Sequence, residues 1–420
     1  MDKGLIKQVI VENQEFVLQV EFTRRPVELE VNGNYVFLGI RRAGKSYLMY
    51  QQIHRLLADG HRIEEILYLN FEDERFIGLR AEELDQLKQA YEELYASQPI
   101  FFLDEIQVVS GWEKFVRRLA DKNYRVYVTG SNAQMLSSEI ATTLGGRFLV
   151  KEVYPLSFRE FLAMRQVDLP GNWAYSQAIR SKVARAFDTY FYYGGFPELR
   201  RFEDKRTWLS GLYQKIYFGD LVARYSLRNP DSMRLLVKKL AESVMQPSSY
   251  NRLKNIVSSS GDHIGVKTVI DYVGYLEQAW IAFSLENYKA RFAERETNRK
   301  YYFIDNGILN LFIFNPDTSL LENLIAITLR RLFGKEAYYY HNRIEVDFYI
   351  PNERWLIQSS YSIANVQTKA RELDALVKAA RYLDARKLQI VTREEERTIE
   401  HEGMTIEVLP VWKWLLTLGD

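Results

Sequence analysis

The sequence predicts an α/β protein whose first part contains a doubly wound parallel sheet. Three observations lead to this fold class. Short apolar strands alternate with amphipathic helices over residues 35–130. A glycine-rich turn joins the first strand to a helix, and an acidic pair ends a later strand. Both features lie at the carboxyl ends of strands, and such sheets bind their ligands at the edge that these ends form.

The composition is that of a folded globular chain. Of the 420 residues, 47% are hydrophobic and 26% are charged, which excludes disordered and collagen-like classes. The 56 basic and 55 acidic residues give a net charge of +1, so no global field favours a polyanionic partner. Without cysteine, disulfides and thiolate metal sites are excluded. The start of the chain does not resemble a signal peptide and no apolar stretch could span a bilayer, so we expect a cytoplasmic protein with no membrane contact.

The first strand, residues 35–38, leads into a segment that fits G-x-x-x-x-G-K-[ST] at every fixed position, and a helix over 47–57 follows. In such a P-loop, backbone N–H groups and the helix N-terminus bind phosphates, the lysine reaches the β/γ oxygens, and the hydroxyl is a Mg²⁺ ligand. The alternative is an ordinary strand–turn–helix connection. The residues predicted to bind ATP are Gly39, Arg42, Ala43, Gly44, Lys45, Ser46 and Tyr47.

A second strand over residues 66–71 precedes an apolar strand, residues 99–103, which ends in Asp104 and Glu105. A P-loop requires such an acid to hold Mg²⁺, and we assign Asp104 to that role through water. Glu105 is then placed to act as the general base toward the attacking water. The alternative is that both acids cap the next helix.

An apolar strand over residues 124–132 ends in small polar residues. Ser131 and Asn132 lie at this end, where a polar side chain can contact the γ-phosphate or the attacking water. A role in capping the following helix is an equally open interpretation.

Seven short motifs together resemble those of prokaryotic AAA+-type ATPases that carry a C-terminal DUF4143 region, and the resemblance covers nearly the whole chain. The motifs occupy residues 39–46, 103–107, 129–132, 145–148, 154–161, 193–197 and 345–348. The resemblance implies an ATP-binding core, a winged-helix segment and an α/β restriction-endonuclease-like domain.

The same resemblance suggests how the chain is divided. We expect an AAA+-type ATP-binding core over 1–160, a helical lid or linker over 161–230, a winged helix-turn-helix over 231–295 and a degenerate nuclease-like domain over 296–420. In the family pattern an arginine precedes the last core strand, which makes Arg147 a candidate γ-phosphate sensor or arginine finger. A packing role for that arginine is an open alternative.

DNA is a candidate partner of residues 250–275, which read as two helices of a winged helix-turn-helix. Lys267 at the start of the second helix, with Arg252 and Lys254 nearby, could contact phosphates. That helix is poor in basic residues, so a structural or protein-binding winged helix is the alternative. A protein partner or a homo-oligomer also remains open.

In the last part of the chain, Glu322 on a helix and Asp347 on a strand occur in the order of the PD-(D/E)XK nuclease pattern. That chemistry needs a second acid and a lysine beside the metal, but Gln358 and Ser360 stand at those positions. We interpret the two acids as relics, with Lys369 as a candidate replacement for the lysine.

The function predicted from these residues is that of a Mg²⁺-dependent ATPase whose nucleotide state is coupled to the winged-helix and nuclease-like domains. Two alternatives remain: a nucleotide-gated switch or scaffold with little turnover, and an ATP-regulated DNA nuclease.

Overall fold

The computed structural model describes residues 2–132, 142–259 and 264–418. The chain divides into two compact units, residues 1–154 and residues 155–420. No helix in the described ranges has the length and apolar character that crossing a bilayer requires.

The described part of the first unit contains a five-stranded sheet whose strands are all parallel, in the order β2-β3-β4-β1-β5. Strands β1, β3 and β4 lie inside the sheet, and their residues are nearly all buried, as expected for central parallel strands. The predicted α/β class with a parallel P-loop core is thereby confirmed. The strands are β1 (Asn34–Leu38), β2 (Ile66–Asn70), β3 (Ile100–Asp104), β4 (Val126–Gly130) and β5 (Phe148–Glu152).

Aromatic side chains on neighbouring strands form much of the core of this sheet. The Phe102 and Tyr127 rings stack with centroids 4.5 Å apart, and Tyr35 stacks on Tyr127 at 6.0 Å. Such cross-strand pairs fix the register of the strands and therefore the positions of their ends. The α-helices described in this unit include α1 (Lys3–Gln19), α2 (Lys45–Ala58), α3 (Leu84–Glu92) and α4 (Trp112–Asp121).

The second unit contains a nine-stranded mixed sheet in the order β13-β14-β12-β11-β10-β9-β7-β8-β6. This sheet is continuous across residue 295, and the division of 155–420 into smaller domains stays a prediction. The strands are β6 (Ser248–Ser249), β7 (Ala282–Asn287), β8 (Asn298–Phe303), β9 (Tyr338–Asn342), β10 (Ile344–Ile350), β11 (Trp355–Ser359), β12 (Lys387–Thr392), β13 (Arg397–His401) and β14 (Met404–Pro410).

Helices flank this sheet, and one of them is wound as a π-helix, Ile216–Ala223. The order helix, β6, helix, helix, β7, β8 occurs over residues 230–303, with β6 and β8 paired antiparallel. The α-helices are α5 (Phe158–Met164), α6 (Gln177–Tyr193), α7 (Lys205–Lys215), α8 (Pro230–Glu242), α9 (Tyr250–Ser258), α10 (Val266–Gln278), α11 (Phe292–Thr297), α12 (Asn306–Leu309), α13 (Asp317–Phe333), α14 (Val366–Leu383) and α15 (Val411–Thr417).

Candidate active site

The glycine-rich loop, residues 39–46, joins the end of β1 to helix α2. A Cβ on Gly39 would lie 2.0 Å from the carbonyl oxygen of Val153, so only glycine fits at this position. Gly44 has a φ of 96° where α2 begins, a conformation that favours glycine. No side chain among the described residues caps α2 there. The N–H groups of its first turn are therefore available to an anion.

Lys45 lies inside this loop and is only 5% exposed. Its Nζ donates to the carbonyl oxygens of Gly39 at 3.1 Å and Ile40 at 3.3 Å, and it lies 3.3 Å from Oε1 of Glu105. The ammonium is thus held by acceptors that a phosphate could replace. This pair also connects the loop after β1 to the acids that follow β3, two positions away in the sheet.

Asp104 ends β3 and is almost completely buried. Its carboxylate accepts hydrogen bonds from the hydroxyls of Thr129 and of Tyr68, and it also interacts with the Ser46 hydroxyl. Burial and the neighbouring charge of Glu105 raise the pKa of Asp104, against the effect of these three hydroxyls. The Asp104 carboxylate and the Ser46 hydroxyl thus bring two oxygen atoms together, and oxygen is the metal ligand that suits Mg²⁺.

Glu105 follows with a φ of 53°, an unusual conformation for a residue other than glycine. Its N–H donates to Oγ1 of Thr129 at 2.7 Å, and its carboxylate accepts a hydrogen bond from the Gln107 amide. Burial opposes the charge of Glu105, but Lys45, Gln107 and Arg41 outweigh burial and lower its pKa. Glu105 is therefore ionised at neutral pH and able to accept a hydrogen bond from water.

Ser131 and Asn132 follow β4 and are both buried. The Gln107 amide, 3.4 Å from Oγ of Ser131, links this loop to Glu105. Oε1 of Gln107 is buried and has no hydrogen-bond partner among the described residues. This oxygen can therefore accept a hydrogen bond beside Glu105, whose carboxylate we assign as the general base toward the attacking water.

Two predicted binding residues lie at the outside of the loop. Arg42, with a φ of 64°, and Tyr47, 39% exposed, both face solvent. Arg25 donates to the carbonyl oxygens of Ala43 at 3.2 Å and Tyr154 at 3.0 Å, so it holds the loop in place. No sequence motif indicates this role, because Arg25 lies 18 residues before Ala43 and outside the loop motif.

Arg147 is not brought together with this cluster. It precedes β5, and Phe148 pairs with Asn34 at the start of β1, whereas the loop follows the end of β1. Arg147 pairs instead with Asp121 at the end of α4 and donates to the carbonyl oxygen of Gly145 at 3.2 Å. Since β1 spans five residues at about 3.3 Å each, Arg147 lies at the edge of the sheet opposite the loop. A role of Arg147 at the γ-phosphate stays a prediction, and its place in the sheet does not support that role within one chain.

The parallel sheet, the glycine-rich loop and the acidic strand end define a P-loop nucleotide-binding domain of the AAA class. Residues 32–162 match the family model described as an AAA domain, in agreement with this geometry. Residues 184–319 match a model described as a domain of unknown function, DUF8612. That match replaces DUF4143, the region named by the resemblance, over this part of the chain.

Two relatives extend the comparison over most of the chain. The uncharacterized protein MJ1544 of Methanocaldococcus jannaschii is 33% identical over 99% of this chain and 96% of its own length. An uncharacterized protein of Haemophilus influenzae is 32% identical over 82% of this chain and 79% of its own. The chain belongs to the family of AAA-domain proteins that MJ1544 represents.

Solved structures with a similar fold include a Walker-type ATPase of Pyrococcus abyssi, with a TM-score of 0.39 and 16% identity over 74% of this chain and 95% of that one. Cdc6p from Pyrobaculum aerophilum has a TM-score of 0.27 and 14% identity over 75% of this chain and 93% of that one.

Proposed function

We propose that the protein is a Mg²⁺-dependent ATPase whose active site lies between the glycine-rich loop and the end of β3. The proposal rests on the contacts among four side chains. The Lys45 ammonium and the Glu105 carboxylate lie 3.3 Å apart, and the Ser46 hydroxyl interacts with the Asp104 carboxylate. Two pairs of groups suited to phosphoryl transfer thus meet at one edge of the sheet.

Each residue has a distinct role in this proposal. The N–H groups at the start of α2 bind the phosphates, and Lys45 exchanges its loop carbonyls and Glu105 for phosphate oxygens. Glu105, released from that pair and still held by Gln107, accepts the proton of the attacking water. Ser46, and Asp104 through water, would hold Mg²⁺, which neutralises charge on the phosphate oxygens when bound.

Lys45→Ala tests this assignment. We expect the variant to lose ATP binding, because no other side chain in the described loop places an ammonium on the loop carbonyls, and its turnover should fall to background. Steady-state phosphate release with Mg²⁺ measures the effect, with Lys114→Ala on an exposed position of α4 as a matched control. Turnover equal to wild type in Lys45→Ala would remove the loop from the proposal.

A switch with little turnover is the second candidate, and the Lys45–Glu105 pair favours it specifically. While the pair is formed, Lys45 is withheld from a phosphate and Glu105 from water, so the nucleotide-free site is inactive. A role of Arg147 at the γ-phosphate needs a neighbouring copy of the chain, since it is distant from the loop of its own chain. In such a homo-oligomer, the rate of ATP turnover per chain would rise with protein concentration.

We further propose that residues 231–295 act as a winged helix that contacts DNA. The order of elements over 230–303 supports this, and so does the position of two lysines, the half-buried Lys254 on α9 and the exposed Lys267 on α10. Residues 260–263 of the predicted 250–275 contact segment lie outside the described residues. The lid and nuclease-like divisions, 161–230 and 296–420, remain part of the same proposal.

Lys254→Glu and Lys267→Glu test the DNA contact. Each should weaken duplex binding across sequences and reduce the slope of log K against log salt by about 1, because each removes one phosphate contact. Fluorescence anisotropy with and without ATP measures the slope, and Lys114→Glu is the control of equal charge change. An unchanged slope in both variants would favour a winged helix that binds protein.

A further inference from the structure

A completely buried lysine stands among three carboxylates in the second unit. Nζ of Lys300, on β8, lies 2.9 Å from Oε1 of Glu345, 3.2 Å from Oδ1 of Asp347 and 3.4 Å from Oε1 of Glu322. Lys300 has no exposed surface and Glu322 is 2% exposed. Glu322 belongs to α13, whereas Glu345 and Asp347 lie two residues apart on β10 and so share one face of it.

Three carboxylate oxygens, one from α13 and two from β10, converge on one point, an arrangement in which a divalent ion can bind. Here an ammonium nitrogen occupies that point. Burial opposes the charge of Lys300, but Glu322, Asp347 and Glu345 outweigh burial and raise its pKa, so it remains protonated at any physiological pH. Glu322 and Asp347 are buried, whereas the Glu345 side chain is 41% exposed. Lys300 gives the two buried carboxylates a counter-charge, which avoids the large cost of an unpaired buried ion.

The carboxylates of the cluster also accept hydrogen bonds from other groups of the protein. Glu322 accepts a hydrogen bond from the Tyr302 hydroxyl at 2.7 Å, and Oδ2 of Asp347 accepts one from the N–H of Ser359 at 2.9 Å. Burial, followed by the charge of Asp347, raises the pKa of Glu322 to about 7.

Lys300 is not placed to act as the lysine of a metal-dependent nuclease. Such a lysine must orient or activate water beside a metal and a phosphate, and a side chain with no exposed surface cannot reach a nucleic-acid backbone. The two positions at which that chemistry needs an acid and a lysine hold Gln358 and Ser360, which supply neither a carboxylate nor an ammonium. Gln358 accepts from the N–H of Asp347 at 3.2 Å, and Ser360 donates to the carbonyl oxygen of Ser362 at 3.1 Å. The residues present do not fit the metal that the nuclease pattern implies.

We propose that the Lys300 ammonium is a built-in replacement for a divalent metal ion, and that the carboxylates of Glu322, Glu345 and Asp347 become a metal site only when this lysine is removed. The cluster then stabilises the second unit and has no part in DNA cleavage. This proposal is independent of ATP binding by the first unit.

Manganese binding to the full chain without nucleotide tests the proposal. Free Mn²⁺ is measured by electron paramagnetic resonance for wild type, Asp347→Asn, Lys300→Met and the double variant. We expect wild type and Asp347→Asn to bind the same number of Mn²⁺ ions. Lys300→Met should bind one more, and the double variant should lose that additional ion.

Thermal unfolding covers the case in which Lys300→Met folds poorly, because an ion that binds only the folded state raises the melting temperature. Mn²⁺ should raise it in Lys300→Met more than in wild type or in the double variant. Two results would overturn the proposal. One is a Mn²⁺ ion that wild type binds and Asp347→Asn loses. The other is a Lys300→Met variant with neither an additional ion nor stabilisation by Mn²⁺.

Discussion

Glu105→Gln is expected to keep ATP binding and to lower turnover by about 10²–10⁴-fold, the usual contribution of a general base. The substitution keeps the shape of the side chain and removes its ability to accept a proton. The pKa of Glu105 is lowered because Lys45, Gln107 and Arg41 together outweigh the opposing effect of burial. The wild-type group is thus ionised across neutral pH, and the loss should not be recovered by raising the pH.

Single-turnover hydrolysis and equilibrium ATP binding, measured on the same preparation, separate the two effects. Glu72→Gln is the control, because Glu72 also follows a strand of this sheet and is engaged with Arg41 at 2.6 Å. Its turnover should stay within a few-fold of wild type. If Glu105→Gln turns over ATP as fast as wild type, Glu105 is not the base. If it loses ATP binding, its role is in binding.

Gly194→Ala is expected to destabilise the second unit by about 2–6 kcal/mol, from backbone strain and overpacking together. Gly194 has φ 78° and ψ −166°, a conformation that is essentially confined to glycine and costs other residues about 1–3 kcal/mol. A Cβ there would also lie 1.9 Å from Oδ1 of Asp305, a buried carboxylate that accepts hydrogen bonds from the N–H groups of Gly195 and Gly307, both at 2.8 Å. Overpacking of this kind typically costs a further 1–3 kcal/mol.

Denaturant unfolding followed by circular dichroism measures this cost. Gly211→Ala is the matched control, because Gly211 lies in helix α7 and a Cβ there has no atom within 4 Å among the described residues. Alanine is better than glycine in a helix by about 1 kcal/mol, so the control should be neutral or slightly stabilising. An equal stability of Gly194→Ala and Gly211→Ala would contradict the packing described for Asp305.

The first unit was largely predictable from sequence because its signals are local. The loop motif and its flanking strand and helix are contiguous, and the apolar run before Asp104 marks a buried parallel strand. Parallel strands end at one edge, so the meeting of Lys45 with Glu105 followed from these two motifs. Because Arg147 precedes a strand, the same rule places it at the opposite edge of the sheet. The family motif instead suggested a role at the γ-phosphate.

The partners of these residues were not predictable, because they depend on strand order and register. Thr129 reaches Asp104 only because β4 lies next to β3, and Tyr68 does so from β2 on the other side. Similarly, Lys300 belongs to no motif. Nothing in the sequence shows that the lysine in contact with Asp347 is Lys300 on β8 and not the predicted candidate, Lys369.

We expect Lys45, Ser46, Asp104 and Glu105 to form one MgATP site. Calorimetric titration of ATP into the purified chain, with and without Mg²⁺, tests it most directly. We predict that wild type binds one ATP per chain, more tightly with Mg²⁺ than without it. The Mg²⁺ dependence should be lost in Asp104→Asn, and binding itself should be lost in Lys45→Ala. An absence of binding to wild type, or equal Mg²⁺-dependent binding by all three proteins, would contradict the claim.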